Sequence, residues 1–257
     1  MKFIHVSDLH YHRDPADNKD ADDLLKGIHN DYPNHFLIVT GDITDDGHET
    51  QYENAYAALA RFKGRLFMVP GNHDFGAAGN FYSRERAVRF DEMLMHPLRQ
   101  GGTFTGDKTP VVSVLEDGST SVMVIGLDSN LETLHLFDFA CGEIGDQQLS
   151  ALDTVLSTPG AAGKVRMVFF HHHPFMHGNP FMELLDGRGL MRTLYGRADV
   201  VLFGHKHVSK AWENRNGIRY VLASDNSPSS ASVREITVDK ERITVQDIQI
   251  TYRSGVM

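Results

Sequence analysis

Side chains that can bind metal ions follow five separate apolar runs of the chain. Each set comes within a few residues of the end of a run that is typical of a buried strand. The five sets are Asp8 and His10, Asp42, Asn72 and His73, His171–His173, and His205 and His207. Carboxylate, amide and imidazole donors without a thiolate favour Mn, Fe, Zn or Co. This pattern indicates a metal centre assembled from distant parts of the chain.

Asp42 is central to this interpretation. It follows the apolar run Phe36–Thr40 and the glycine at position 41. A single aspartate in this place also caps a turn or a helix, and that explanation suffices for Asp42 taken alone. The recurrence of donors after four other runs favours metal binding, because clustered histidines need partners for their ring nitrogens. The donors are too many for one tetrahedral ion, whereas two ions that share the Asp42 carboxylate would use them all.

A pair of ions suits the hydrolysis of a phosphate ester. Such ions lie about 3.5–4 Å apart, hold the attacking and leaving oxygens, and generate hydroxide near neutral pH. The formal net charge of −9 argues against a broad basic surface for a nucleic-acid polymer. Bound cations would reverse the charge locally, so a small phosphate ester remains the expected partner.

Alternation of apolar runs and amphipathic stretches predicts an α/β protein. Strands are expected at residues 3–6, 36–40, 65–70, 111–115, 121–127, 165–170 and 200–203, followed by β-rich segments at 210–214, 218–223, 233–238 and 243–252. Helices are expected near residues 20–30, 48–62, 145–156 and 181–194. The polar stretch after Asn72 is expected to be a loop.

The chain lacks an internal repeat or a linker, which predicts a single domain over residues 1–257. Residues 75–110 have no clear strand and follow a site loop, so we expect either a lid over the substrate or a surface excursion. Residues 208–257 are expected to form a β-rich, antiparallel flank. Arg84, Arg86, Arg89, Arg188 and Arg192 either clamp a terminal phosphate or lie on solvated helix faces.

Composition predicts a cytoplasmic protein. The single cysteine, Cys141, cannot form an internal disulfide, which fits a reducing compartment. No apolar run approaches the ~20 residues that a membrane span needs, so no membrane partner is expected. The N-terminal residues have no apolar signal-peptide core. Whether the protein forms a homo-oligomer is left open.

Five motifs in this order resemble the calcineurin-like metallophosphoesterase family. They are Asp8-x-His10, Gly41-Asp42-x-x-Asp45, Gly71-Asn72-His73-Asp74, His172-x-Pro174 and Gly204-His205-x-His207. The resemblance covers Asp8 to His207 and implies a four-layer α/β/β/α sandwich of two mixed sheets flanked by helices. The three adjacent histidines and the compact length are similar to the bacterial class III cyclic-nucleotide phosphodiesterases and the related glycerophosphodiesterases.

The resemblance also implies roles for individual residues. One ion would be held by Asp8, His10, Asp42 and His207, and the other by Asp42, Asn72, His172 and His205. His172 is chosen because it stands two residues before Pro174, and His171 is the alternative if the strand register differs by one. His73, oriented by Asp74, would stabilise the transferring phosphoryl group and protonate the leaving group.

The resemblance implies a phosphodiesterase that acts on a small soluble ester through a metal-bound hydroxide, with a 3′,5′-cyclic nucleotide as a candidate substrate. A phosphomonoesterase or nucleotidase on the same site is the first alternative. A metal-stabilised binding module without turnover is the second. It is disfavoured because every motif position and His73 are retained.

Overall fold

The computed structural model of this chain describes residues 1–79, 81–106, 108–133, 140–179, 181–224 and 230–251. In chain order its strands are β1 (Lys2–Val6), β2 (Phe36–Thr40), β3 (Leu66–Val69), β4 (Gly76–Ala77), β5 (Phe81–Tyr82), β6 (Val111–Asp117), β7 (Thr120–Gly126), β8 (Val165–Phe169), β9 (Val200–Phe203), β10 (Lys210–Arg215), β11 (Ile218–Ala223), β12 (Ser232–Asp239) and β13 (Arg242–Gln249). The α-helices are α1 (Lys19–Asp31), α2 (Glu49–Leu59), α3 (Asn72–Phe75), α4 (Arg84–Phe90), α5 (Asp146–Ser157) and α6 (Gly187–Leu194).

The first sheet has five strands in the order β13-β12-β1-β2-β3. Strands β1, β2 and β3 run parallel, and β12 pairs antiparallel with β1. The parallel strands are buried over most of their length, as their continuous apolar sequences predict. Their register pairs Val6 with Val39 and Thr40 with Val69, so all three carboxyl ends lie at one edge of the sheet.

The second sheet has six strands in the order β10-β11-β9-β8-β7-β6. The four inner strands run parallel to one another, while β6 and β10 are antiparallel edge strands. Phe169, at the end of β8, pairs with Leu202 of β9. The histidine-bearing segments after β8 and β9 therefore leave this sheet side by side.

Two hydrophobic clusters define the layers. One cluster joins the facing surfaces of both sheets and continues beneath α1 and α2. The other fills the space between the second sheet and helices α5 and α6. Helix α1 shows the expected periodicity, since Ala21, Leu24, Leu25 and Ile28 are its buried residues. The predicted four-layer α/β/β/α sandwich of two mixed sheets is confirmed.

Several local predictions were wrong. Asn72 begins the short helix α3 where a polar loop was expected, because the Asp74 carboxylate accepts the N–H of Gly71 and closes the first turn. Strand β11 pairs parallel with β9, so residues 208–257 are not a purely antiparallel flank. The helix expected at residues 181–194 begins only at Gly187. Residues 252–257, at the end of the predicted flank, lie outside the described residues.

The 75–110 segment contains the helix expected around Arg84–Arg89, together with structure that the sequence did not predict. It has the small hairpin β4–β5, helix α4 and a π-helical turn at Asp91–Met95. Phe90 and Phe104 pack edge to face within the hydrophobic core. The Asp91 carboxylate accepts the backbone N–H groups of Phe104 and Thr105. These hydrogen bonds join the π-helical turn to the later part of the same segment. The expected role as a lid stays a prediction.

No helix among the described residues has both the length and the apolar character required to cross a bilayer. Cys141, the single cysteine, is buried.

Arg234 links the two sheets from a buried position on β12. Its Nη1 donates to the carbonyl oxygens of Ala223 and Lys210, at 2.7 and 3.2 Å, and both residues belong to the second sheet. Its Nη2 donates to Ser209 Oγ, and its Nε donates to Asp247 on β13. Only 4% of Arg234 is exposed, and its bond to the carbonyl oxygen of Ala223 is buried, whereas Ser209, Lys210 and Asp247 are exposed residues.

We predict that Arg234→Met lowers the free energy of unfolding by about 2 kcal/mol, because it removes the buried hydrogen bond to the carbonyl oxygen of Ala223 and the link between the sheets. Arg242→Met, on the exposed part of β13, is the matched control and should change it by less than about 0.5 kcal/mol. Urea denaturation of the metal-free protein measures both changes. Equal effects of the two substitutions would contradict the role of Arg234 as a link between the sheets.

Candidate metal centre

The predicted ligands follow the carboxyl ends of five parallel strands from both sheets. The first sheet places Asp8 and His10 after β1, Asp42 after β2, and Asn72 and His73 after β3; the second sheet places His171–His173 after β8, and His205 and His207 after β9. Carboxyl ends of parallel strands are where α/β proteins commonly hold ligands. Because the sheets face each other, the two sets of loops meet.

Five of these residues have a left-handed backbone, which is unusual for residues other than glycine. Their φ angles are 54° for Asp8, 46° for His10, 49° for Asp42, 75° for His205 and 51° for His207. Such a conformation costs of the order of 1 kcal/mol or more per residue and is concentrated at functional sites. An energetically unfavourable backbone conformation therefore occurs at five of the positions where the sequence predicted metal ligands.

The donors form overlapping groups around Asp42. Among the described residues, three groups have donor atoms that all lie within 4.8 Å of one another: Asp8, His10 and His207; His10, Asp42 and His73; and Asp42, His171 and His205. His10 is common to the first two groups and Asp42 to the last two. Asp42 is 2% exposed, and its Oδ1 accepts the backbone N–H of His73 at 2.9 Å.

His171 has the tightest contacts in the third group. Its Nε2 lies 3.2 Å from Asp42 Oδ2, 3.1 Å from Nδ1 of His205 and 3.0 Å from Oδ1 of Asn72. Its Nδ1 donates to the carbonyl oxygen of Thr40 at 2.8 Å. That bond fixes the tautomer, so the lone pair on Nε2 is directed toward the other donors, as in many histidine metal ligands.

The first group is more open to solvent. His207 Nε2 lies 3.6 Å from Oδ1 of Asp8, and His10 Nε2 lies 3.9 Å from Oδ2 of Asp42. Asp8 is fully buried, and its carboxylate accepts the backbone N–H of His205. His207 is exposed, so this side of the centre is accessible from solvent.

The choice between His171 and His172 depends on the register of β8. Side chains alternate along a strand: Phe169 lies in the core between the sheets, and Phe170 lies beneath helices α5 and α6. His171 therefore points toward the first sheet. His172 instead places Nδ1 2.8 Å from Ser129 Oγ, and its buried Nε2 has no hydrogen-bond partner. His171 makes the closer contacts to Asp42 and His205, while the unpartnered Nε2 of His172 is also a candidate donor, so the choice of His172 over His171 made from the sequence stays a prediction.

Asp74 does not contact His73 in the way the sequence suggested. Its buried carboxylate accepts the backbone N–H groups of Gly71, Ile43 and Thr44 and the hydroxyl of Thr44. The contact to the His73 ring comes from the carbonyl oxygen of Asp45, 2.6 Å from Nδ1. The expectation that Asp74 orients His73 directly is therefore wrong. Asp74 positions the loops that carry Asp42 and His73.

Two glycines make room for the centre. A Cβ atom at Gly71 would lie 2.2 Å from Oδ1 of Asp42, and a Cβ atom at Gly204 would lie 1.8 Å from Ser7 Oγ and 2.7 Å from Oδ2 of Asp8. Neither distance is compatible with a larger residue. The glycines in the sequence motifs are thus required by close approach between the donor loops.

A sequence model described as calcineurin-like phosphoesterase matches residues 1–209. This chain belongs to the calcineurin-like phosphoesterase family. It is accordingly a metal-dependent hydrolase of phosphate esters, as the sequence motifs predicted.

Several known proteins resemble this phosphoesterase. A probable cyclic nucleotide phosphodiesterase of Rhodopseudomonas palustris is 24% identical over 281 residues, which cover 98% of this chain and 93% of the relative. The glycerophosphodiester phosphodiesterase GpdQ of Enterobacter lignolyticus is 28% identical over 222 residues, or 80% and 71% of the two chains. The crystal structure of a dimetal phosphatase from Danio rerio has a TM-score of 0.72 and 17% identity, with 98% and 99% coverage. This last likeness shows the fold alone.

The donor set of this phosphoesterase fits metal ions. Nε2 atoms of His10, His172 and His205 are buried without a hydrogen-bond partner. Burial lowers the pKa of His10 and of His171, but neighbouring carboxylates, Asp42 among them, outweigh burial and raise the pKa of each to about 9. A cation would replace the protons that these histidines otherwise carry at neutral pH.

Ser129 supports the histidine loop of this phosphoesterase, and Asp128 and Asn130 hydrogen-bond to each other beside it. Ser129 Oγ accepts the backbone N–H groups of His171 and His172. Asp128 Oδ1 accepts the backbone and side-chain N–H groups of Asn130. Burial raises the pKa of the Asp128 carboxyl to about 6, although the hydrogen bonds from Asn130 oppose the shift.

We predict that Asp128→Asn makes stability less dependent on pH. Because the folded-state pKa lies above the unfolded value, the folded protein takes up this proton first, and the contribution of Asp128 to stability increases as the pH falls from about 6 to 4. The asparagine variant keeps the acceptor but has no charge to bury. It should therefore exceed the wild type in stability by about 2 kcal/mol at pH 7.5, and the difference should shrink toward pH 4.5.

Denaturation of the chelator-treated protein at several pH values measures this difference, and subtraction of the wild-type curve removes the contributions of other carboxylates. A difference that is constant between these two pH values would show that Asp128 is not held at a raised pKa.

Proposed function

We propose that this phosphoesterase hydrolyses small phosphodiesters at two metal ions that share the Asp42 carboxylate. The observation that carries the proposal is the position of Asp42 in two overlapping donor groups. One ion would be held by Asp8, His10, Asp42 and His207. The other would be held by Asp42, Asn72, His171 and His205, with His171 in place of the His172 that the motif predicted.

The donor chemistry supports hard or borderline metals. Carboxylate and amide oxygens together with imidazole nitrogens suit Mn, Fe, Zn or Co. Two such ions, when bound, would lower the pKa of a bound water and neutralise the charge of a phosphate group. Asp8 and Asp42 supply only two carboxylates to the proposed ligand sets, so a net positive charge would remain for an anionic substrate.

His73 is the proposed acid for the leaving group. A carbonyl oxygen only accepts hydrogen bonds, so the contact to Asp45 requires a proton on Nδ1 of His73. Nε2 then exchanges the second proton of the ring. One ring nitrogen of His73 lies within 4.8 Å of donor atoms of both His10 and Asp42, which places the ring beside the centre. In the imidazolium form it would stabilise the phosphoryl group and protonate the departing oxygen.

The related proteins favour a diester as the substrate. The two relatives described above are named as a cyclic nucleotide phosphodiesterase and a glycerophosphodiester phosphodiesterase. A 3′,5′-cyclic nucleotide is therefore the first candidate. We also propose that the chain forms a single domain, that residues 75–110 form a lid over the substrate, and that the protein is cytoplasmic. Whether it forms a homo-oligomer stays open.

We predict that the protein hydrolyses bis(p-nitrophenyl) phosphate with Mn²⁺ and does so faster than p-nitrophenyl phosphate. Chelation should abolish turnover, and Asp42→Asn should reduce kcat/KM by about 10³-fold or more, because both donor groups lose a shared carboxylate. Asp239→Asn, at an exposed position, is the control and should retain full activity.

A higher rate on the monoester would favour the phosphomonoesterase or nucleotidase alternative. Full metal occupancy with Mn²⁺, Zn²⁺ or Co²⁺ but no hydrolysis of either ester would favour the binding module instead.

A second prediction separates His171 from His172. We expect His171→Ala to reduce the bound metal from two ions to one per chain, since the side chain contacts three members of the second ligand set. His172→Ala is the matched variant and should keep two ions. Elemental analysis after gel filtration gives the stoichiometry. The reverse result, loss of an ion only in His172→Ala, would restore the original assignment from the sequence.

A further inference from the structure

A second cleft lies on the outer side of the six-stranded sheet. It has a volume of about 760 Å³ and is bounded by helix α6, the turn between β10 and β11, and the segment that follows the histidines of β8. Small-molecule sites commonly fall between about 300 and 1,000 Å³. Neither His73 nor any proposed metal ligand lines this cleft.

Three arginines converge on the cleft: Arg188 and Arg192 from α6, and Arg215 from the end of β10. Among the described residues no carboxylate lines the cleft, although Glu183 lies 3.8 Å from the lining residue His177, and none of the three arginines forms an ion pair. Neighbouring arginines behave differently, since Arg197 pairs with Asp153 and Arg219 pairs with Asp199.

This concentration of positive charge is local. The chain as a whole carries a net charge of −9, so the charge of this arginine cluster is opposite in sign to that of the whole protein. Arg188 and Arg192 are both exposed and lie one helical turn apart, a spacing at which like charges repel. Two guanidinium groups at this spacing can bind one phosphate group, and bound phosphate would relieve their repulsion.

Aromatic rings stand beside the arginines. The guanidinium carbon of Arg215 lies 3.7 Å from the centre of the Phe175 ring, which fixes one face of the guanidinium plane. Tyr195 is 65% exposed although it is a large ring, and it lies beside the turn at Gly217. An exposed ring next to unpaired cations suits a ligand that has both an aromatic base and a phosphate.

We propose that this cleft binds a nucleoside phosphate, separately from the metal centre. Arg188 and Arg192 would hold the phosphate, Tyr195 would stack on the base, and Arg215 on Phe175 would line the opposite side. An extended acidic peptide could bind through the charges of the arginines alone. The concave shape of the cleft and the exposed ring of Tyr195 instead favour a small anion that contains an aromatic ring. The proposal rests on the cleft and is independent of the reaction at the metal centre.

The test is equilibrium binding of ADP to the full chain in the presence of a chelator, which leaves the metal centre without ions. Saturable binding is expected, and the double variant Arg188→Gln and Arg192→Gln should weaken it at least tenfold. Arg242→Gln, at an exposed arginine of β13, should leave it unchanged. Higher salt should also weaken binding, because exposed charges are screened.

Two further arms separate the parts of the site. Tyr195→Ala should weaken ADP about tenfold and leave the affinity for inorganic phosphate unchanged, because only the base stacks on the ring. Asp42→Asn should have no effect on ADP binding. The proposal is overturned if ADP does not bind saturably or if Arg242→Gln weakens binding as much as the double variant does. It is also overturned if only Asp42→Asn weakens binding, or if hexaglutamate binds through these arginines and ADP does not.

Discussion

The burial of the Asp42 carboxylate at the junction of two donor groups is the constraint on which the rest of the site depends. A buried carboxylate is unfavourable unless charges and hydrogen bonds compensate for lost water. One oxygen of Asp42 accepts the backbone N–H of His73, and the other faces His171 and His10. The adjacent glycine at position 71 is required because a Cβ there would occupy the space of this carboxylate.

The sandwich contributes different chemistry from its two sheets. The oxygen donors Asp8, Asp42 and Asn72 all come from the first sheet, and most of the imidazoles come from the second. Each of the two proposed ligand sets takes donors from both sheets. Arg234 links the sheets at another place, through hydrogen bonds from β12 to the backbone of β10 and β11. Metal binding would therefore add to the stability of the assembled sandwich, because a ligand that prefers the folded state stabilises it.

Much of this arrangement could be predicted from the sequence, because both the layer order and the donor positions follow strand ends. The remainder depended on tertiary detail. The choice between His171 and His172 depends on whether Phe169 faces the first sheet or the helices α5 and α6. A shift of one residue in the register of β8 would exchange the directions of the two histidines. The sequence could not show that the Asp74 carboxylate does not contact the His73 ring. The short helix α3 directs this carboxylate to backbone N–H groups of Thr44 and Gly71 instead. Arg188 and Arg192 could be singled out in the sequence, but the cleft that they share with Arg215 could not be predicted, because α6 and β10 meet only in the fold.

The chain thus has two different means of attracting an anion. At the strand ends the proposed attraction depends on metal ions. If His10 and His171 are ligands, as proposed, metal binding would displace their protons and so weaken as the pH falls. In the outer cleft the attraction depends on guanidinium groups, which remain charged throughout the physiological range. The Phe175 segment follows the histidines of β8 by only a few residues, so a single loop borders both regions. Binding in the cleft can therefore be measured without metal, whereas the proposed hydrolysis requires it.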